Sequence, residues 1–157
     1  MATAFIGLGS NLGNRRENLQ RALEHLSHLP ETKGIRCSQW IETSPMGGPP
    51  QGMYLNGAAE IQTRLDPPTL LRRLQKIERL LGRPEPHERW GPRVIDLDLL
   101  AYDDEIMEEP GLTLPHPQLH ERPFVLAPLA EIAPGWIHPS LKRTAQELLE
   151  SLAHANH

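Results

Sequence analysis

Arg89-Trp90-Gly91-Pro92-Arg93-Val94-Ile95-Asp96-Leu97-Asp98-Leu99-Leu100 is the stretch that decides how this chain is read. It joins an arginine-bearing turn to a run of alternating polarity. In a strand, successive side chains point to opposite faces. Asp96 and Asp98 therefore share one face, with Cβ atoms roughly 6–7 Å apart. Ile95, Leu97 and Leu99 share the other, which packs into a core. Two carboxylates beside several arginines suit a metal–polyphosphate site: the acids hold Mg²⁺, and guanidinium groups meet the phosphate oxygens that the metal leaves over. The same spacing fits two surface aspartates, or two aspartates paired with arginines. The neighbouring charges favour the metal.

Those charges are unevenly laid out. Residues 72–93 carry seven Lys/Arg and three Glu, whereas residues 94–109 carry seven Asp/Glu and no Lys/Arg. The sign flips where the aspartate strand begins. Arg83, Arg89 and Arg93 sit in a segment broken by Pro84, Pro86, Gly91 and Pro92. Guanidinium binds phosphate bidentately and stays charged, and a loop that closes would bring it to a polyphosphate and exclude water. A solubilising surface loop has the same composition. Proximity to the aspartates is what distinguishes the two.

Working outward, the elements fall in the order β-α-β-β-α-β. Residues 3–8 read as a short buried strand and 9–13 as a turn. Asn14 with Glu17 resembles a capping box, opening a helix to about residue 29 with Leu19, Ala22, Leu23 and Leu26 on one face. Residues 34–42 and 53–62 read as strands separated by a Gly/Pro-rich loop at 44–52. Asp66 caps a second helix with Pro67 and Pro68 in its first turn. Leu70, Leu74, Ile77 and Leu81 form its apolar stripe, and Gly82 ends it. The aspartate strand, 94–102, follows. This is an α/β (α+β) chain with a ferredoxin-like core. Extra C-terminal pieces are expected as short strands at 105–107 and 112–114 and helices at 124–131 and 144–153.

The 157 residues suit a single domain with a real core. A net charge of −4 argues against a general nucleic-acid surface. Cys37 is the sole cysteine, which rules out a disulfide within the chain and a thiolate metal cluster; it reads as a packed strand residue. No stretch approaches the ~20 apolar residues of a membrane span, and residues 1–5 lack a leader signature, so a cytoplasmic protein is expected. Gly7-x-Gly9 lacks the dinucleotide fingerprint and any Gly-Lys-Ser/Thr, which argues against Rossmann and P-loop chemistry. No serine sits in a nucleophile elbow.

Other candidates are weaker alone. Tyr54 and Asn56 share the polar face of their strand, an aromatic and an amide suited to a flat heterocycle; on that pattern alone, a partly buried tyrosine with its hydroxyl in water is the better reading. His116 and Arg122 follow the acidic hairpin; His116 is a candidate phosphate donor or general acid/base, although with eight histidines in the chain any one of them is more often inert. Phe124 is either a core plug or a stacking platform.

Taken with its context, Arg89-Trp90-Gly91-Pro92-Arg93-Val94-Ile95-Asp96-Leu97-Asp98 resembles the signature of the 6-hydroxymethyl-7,8-dihydropterin pyrophosphokinase family. Further matching pieces run in order along nearly the whole chain: Gly9-Ser10-Asn11-Leu12, Thr43-Ser44-Pro45-Met46-Gly47, Tyr54-Leu55-Asn56, Glu78, Gly82-Arg83, Leu114-Pro115-His116 and Arg122-Pro123-Phe124. The resemblance implies transfer of pyrophosphate from ATP to the pterin hydroxymethyl, with release of AMP, in tetrahydrofolate biosynthesis. It implies that Asp96 and Asp98 hold two Mg²⁺ ions and that Arg83 and Arg93 stabilise the migrating group. Tyr54 and Phe124 would sandwich the pterin, with Asn56 and the Thr43, Ser44, Pro45 and Met46 segment along its edges. Gln75, Glu78, Arg89, Trp90, Arg93, Leu99, Thr113, His116 and Arg122 would line the ATP side. Partners would be these small molecules alone, with no nucleic acid and no membrane, and the chain a monomer. Three positions depart from the family pattern: Glu85, where many members have arginine; Gly111, where some have a basic residue; and Pro117, often aromatic. The competing expectation is a non-catalytic nucleotide- or pterin-binding module on the same scaffold.

Overall fold

The first helix begins where its cap chemistry requires. Asn14 accepts a hydrogen bond from the Glu17 N–H at 3.1 Å, opening α1 (Arg15–Ser27). Asp66 does the same for α2 (Pro67–Leu80), accepting from Thr69 N–H at 2.9 Å with proline in the first turn. Past α2, Gly82 adopts a φ of +107°, a conformation that costs glycine little. The computed structural model describes residues 1–43, 53–82 and 94–155. The expected loops at 44–52 and 83–93 lie outside these.

The strands are β1 (Ala2–Ser10), β2 (Thr32–Cys37), β3 (Ile41–Thr43), β4 (Tyr54–Thr63) and β5 (Asp96–Tyr102), followed by a hairpin of β6 (Met107–Glu109) and β7 (Leu112–Leu114). α3 (Pro123–Ile132) and α4 (Ala145–Ala155) complete the described chain. The main sheet runs β2-β4-β1-β5, with β3 also paired to β4, and every pairing is antiparallel. This is the arrangement expected of a ferredoxin-like core.

Each sheet face has its own core. Ala4, Ile6, Leu8, Leu55, Ala59, Ile61, Ile95, Leu97 and Leu99 pack under Leu19, Ala22 and Leu26 of α1 and Leu70, Leu74 and Ile77 of α2. Phe5, Ala58, Leu100 and Ala101 pack on the other face under Leu126, Leu129, Ala130 and Ile132 of α3 and Ala145 and Leu148 of α4. The predicted helix stripes and the Ile95/Leu97/Leu99 face are thus buried as their periodicities require.

Several boundaries shift by one or two residues, among them the aspartate strand, which starts at Asp96 rather than 94, and three differences have a cause in the pairing. β1 continues through Gly9 and Ser10, because both pair with β4 and Gly9 also pairs with Asp96; the turn begins only after them. The expected strand at 34–42 is two strands. Ser38 exchanges bonds with Ala58, its N–H donating to the Ala58 carbonyl and its Oγ accepting the Ala58 N–H. Trp40 then folds over Gly57, filling the space a β-carbon there would need. Third, the hairpin pairs 107–109 with 112–114, two residues beyond the first expected strand. The turn there holds Gly111 at a φ of +80°, and this sets the register. Cys37 sits half-buried in β2, its thiol pushed up to about 11 by burial and the Glu131 carboxylate.

Candidate active site

β5 is the outer strand of the sheet, and its first residues carry the two aspartates. Asp96 is half-buried and Asp98 exposed, on the same strand face, while Leu97 between them is buried. In register, Asp96 stands opposite Gly9 and Asp98 opposite Gly7, and across β1 the same two glycines stand opposite Asn56 and Ala58. A glycine of the central strand, with no side chain on this face, therefore separates Asn56 from Asp96. That floor is partly claimed: a β-carbon at Gly9 would lie 2.7 Å from Asn56 Oδ1 and 3.4 Å from Tyr54 Cδ1. Asn56 Nδ2 donates to Thr43 Oγ1 at 2.5 Å. Three of the residues predicted for the pterin (Thr43, Tyr54 and Asn56) thus converge at the meeting of β3 and β4.

An open cleft of about 380 Å³ lies at the edge of β5, lined by Gln75 and Glu78 of α2, Asp96, Asp98 and Leu99 of β5, Thr113 of β7, and His116. Every one of these was predicted from sequence. Glu78 is buried, and its Oε2 accepts the Leu97 N–H at 2.8 Å, fixing the backbone between the two aspartates. The His116 N–H donates to the Leu100 carbonyl at 2.8 Å, and its Nδ1 accepts from the Gln118 N–H at 3.3 Å. The ring proton is then assigned to Nε2. Burial, with a smaller contribution from the Arg122 cation, pulls the His116 imidazole below its ordinary range, so it is neutral near pH 7.

Arg122 donates to the Gln118 side chain and lies over the Phe124 ring, 5.6 Å from its centroid. Phe124 is half-buried and belongs to neither core cluster, so it is not a core plug. Ser44, Pro45, Met46, Arg83, Arg89, Trp90 and Arg93 lie outside the described residues.

The cleft also uses residues that sequence reading passed over as contacts. Leu71 and Leu112 line it; Gly111 and Pro117, two of the positions that depart from the family pattern, line it as well. Leu71 had a signal: it precedes Gln75 by four residues and Glu78 by seven, the spacing of one helix face.

The family model for 7,8-dihydro-6-hydroxymethylpterin-pyrophosphokinase (HPPK) matches residues 5–134. The chain belongs to this family. A 2-amino-4-hydroxy-6-hydroxymethyldihydropteridine pyrophosphokinase of Synechocystis sp. is 45% identical over 149 residues, covering 95% of this chain and 75% of that protein. The protein of the same description from Haemophilus influenzae is 41% identical over 153 residues, covering 98% and 94%. Among solved structures, an HPPK-DHPS crystal structure in complex with substrates superposes with a TM-score of 0.76 at 12% identity over 99% of this chain. Plasmodium falciparum HPPK-DHPS superposes at 0.71 with 15% identity over 96%. At those identities the likeness is one of fold. The HPPK family chain described here spans less than half of either chain, 46% and 43%. Among the described residues, no helix is long and apolar enough to cross a membrane.

Proposed function

We propose that the cleft at the β5 edge is where this HPPK family chain carries out the family's reaction. The chain transfers the pyrophosphoryl group of ATP to the hydroxymethyl of 6-hydroxymethyl-7,8-dihydropterin, releasing AMP, in tetrahydrofolate biosynthesis. Beyond family membership, the observation that carries this reading is the convergence of Gln75, Glu78, Thr113 and His116 with Asp96 and Asp98 on one cleft.

The donor set fits Mg²⁺. Two carboxylates share a strand face, and among the described residues no group of three or more His, Cys, Asp or Glu forms a closed cage. Such a site suits a cation that keeps several waters and shares phosphate oxygens. Asp96 and Asp98 would hold two Mg²⁺ ions, which when bound supply charge neutralisation to the phosphates and acidify the attacking alcohol. The remaining work is positional, as phosphoryl-type transfer requires. Gln75, Thr113 and the Leu71 side of the cleft receive the nucleotide. Neutral His116 donates from Nε2 to a phosphate oxygen. Arg122 beside Phe124 adds positive charge, and Arg83, Arg89, Trp90 and Arg93 complete the ATP side. Tyr54, Asn56, Thr43 and Phe124, with Ser44, Pro45 and Met46, take the pterin. A monomer working in the cytoplasm belongs to the same proposal, tested by sedimentation and cell fractionation.

A purely binding role is not favoured, because both aspartates stand in the cleft that Gln75, Glu78, Leu99, Thr113 and His116 also line. The deciding assay supplies MgATP and the reduced pterin alcohol and follows AMP. Release of ADP, or no turnover, overturns the reading. Asp98→Ala is expected to lose on the order of 100-fold or more in turnover while remaining folded, since Asp98 is exposed. Unchanged activity in that variant removes the metal assignment.

A further inference from the structure

Arg15 is the first residue of α1, directly after the Asn14 cap. A cation there opposes the helix dipole, so the helix gains nothing from it. The guanidinium reaches away instead. Nη1 donates to Glu42 Oε1 at 3.0 Å and to the Met53 carbonyl at 2.9 Å. Glu42 is the middle residue of β3, and Met53 stands immediately ahead of β4. One nitrogen therefore joins the start of α1, the short strand and the entry to β4.

Among the described residues, β3 is held mainly by β4. It pairs with β4 through three residues only, Ile41 with Asn56, Glu42 with Leu55 and Thr43 with Tyr54, and none of its own side chains is buried. Neighbouring side chains of a strand point opposite ways. Glu42 is tied on one side by Arg15, and Thr43 on the other by Asn56. Charge-assisted bonds of this kind are the stronger class. The Arg15 side chain is only 31% exposed, against 53% for Glu42, so the arginine end is the better shielded.

We propose that Arg15 is a positioning residue for the pterin side of the site. By tying Glu42 to the Met53 carbonyl it holds β3 on β4 and so fixes the spacing of Thr43 and Asn56. The proposal rests on the reading of those two residues as pterin contacts. Arg15 itself is placed on no substrate.

The test uses the full chain with Arg15→Ala, Arg15→Lys, Glu42→Ala and the double variant. Arg15→Ala is expected to raise the KM for the pterin alcohol about fivefold, the upper end for one partly exposed ion pair lost. The KM for ATP should stay within about twofold and the melting temperature within about 2 °C, as a partly exposed ion pair adds little global stability. Arg15→Lys, which keeps the charge, should fall between, and Arg15→Ala/Glu42→Ala should be no worse than Arg15→Ala. Hydrogen exchange gives a readout independent of turnover: the Glu42–Thr43 and Tyr54–Asn56 amides should exchange faster in Arg15→Ala. If exchange rises while the unaltered chain makes no AMP, the clamp stands and the pyrophosphokinase reading fails. Unchanged exchange, or equal increases in both KM values, overturns the clamp.

Discussion

Replacing Gly9 by alanine tests the pterin side with a single methyl group. The new β-carbon would lie 2.7 Å from Asn56 Oδ1, whereas carbon–oxygen contacts settle near 3.3 Å or more. About 0.6 Å must be found. The backbone cannot supply it, because Gly9 is paired with Asn56 on one side and Asp96 on the other. The Asn56 amide must turn, and its 2.5 Å bond to Thr43 goes with it. A neutral hydrogen bond contributes about 0.5–1.5 kcal/mol. At about 1.4 kcal/mol per factor of ten, the KM for the pterin alcohol rises about 2- to 12-fold. The ATP side should be spared, since the atoms nearest the added carbon belong to Asn56 and Tyr54 rather than to the cleft. Stability should hardly move: a short side chain can rotate, and alanine restricts the unfolded chain in partial compensation. Gly7→Ala is the control, because its β-carbon meets only Leu100 at an ordinary 3.4 Å. Steady-state AMP release with each substrate varied in turn measures both effects. A Gly9→Ala enzyme with unchanged pterin KM, or with both KM values raised together, refutes the placement of Asn56.

Glu78→Ala should lower the melting temperature by roughly 3–10 °C, because a buried acceptor of the Leu97 N–H is removed at a cost of about 1–3 kcal/mol. Glu78→Gln, which keeps an acceptor oxygen, should recover part of it by scanning fluorimetry. His138 gives a pH prediction. Burial, then the nearby His120, holds its imidazole below the ordinary value of 6.5, and its Nδ1 accepts the N–H groups of Ser140 and Leu141. The unfolded chain therefore binds the extra proton more readily. Stability is complete above about pH 6.5 and falls as pH drops through and below that value, with His116 adding the same sign. His138→Asn, whose Oδ1 can accept in place of Nδ1, should flatten melting temperature against pH between 7.5 and 5; an unchanged slope sinks the assignment.

Whatever depends on neighbours in sequence was legible. The Asn14 and Asp66 caps follow from side chains that accept the free N–H groups of a first turn, and the stripes of α1 and α2 and the shared face of Asp96 and Asp98 follow from periods of 3.6 and 2. The sheet order followed from element order, because crossovers leave few topologies open. What escaped depends on partners far along the chain. The break at Ser38 is imposed by Ala58 and Gly57, and the true end of β1 by its pairing on both sides. That Glu78 would hold Leu97, and that neither core would take in Phe124, are likewise facts of packing. The family motif located Gln75, Thr113 and His116, which composition alone left indistinguishable from surface residues.

The register of β5 explains how a strand at the sheet edge can hold a site rigidly. Ile6 pairs with Leu99 but Phe5 with Ala101, so Leu100 is an extra residue, a bulge. The alternation resets there. Leu97, Leu99 and Tyr102 enter the core under α1 and α2, whereas Leu100 and Ala101 both enter the core under α3 and α4. The strand is thus gripped from both faces directly beyond the aspartates, while Asp96 and Asp98 remain outside either core. The bulged residue has a second use. Its carbonyl accepts the His116 main-chain N–H, so the His116 backbone is tied to the same strand that carries Asp98, two residues and roughly 7 Å away along it. Glu78 holds that backbone from the other end through Leu97. A group that must meet a phosphate chain in line tolerates little play, and here the aspartates and the histidine share one rail anchored at both ends.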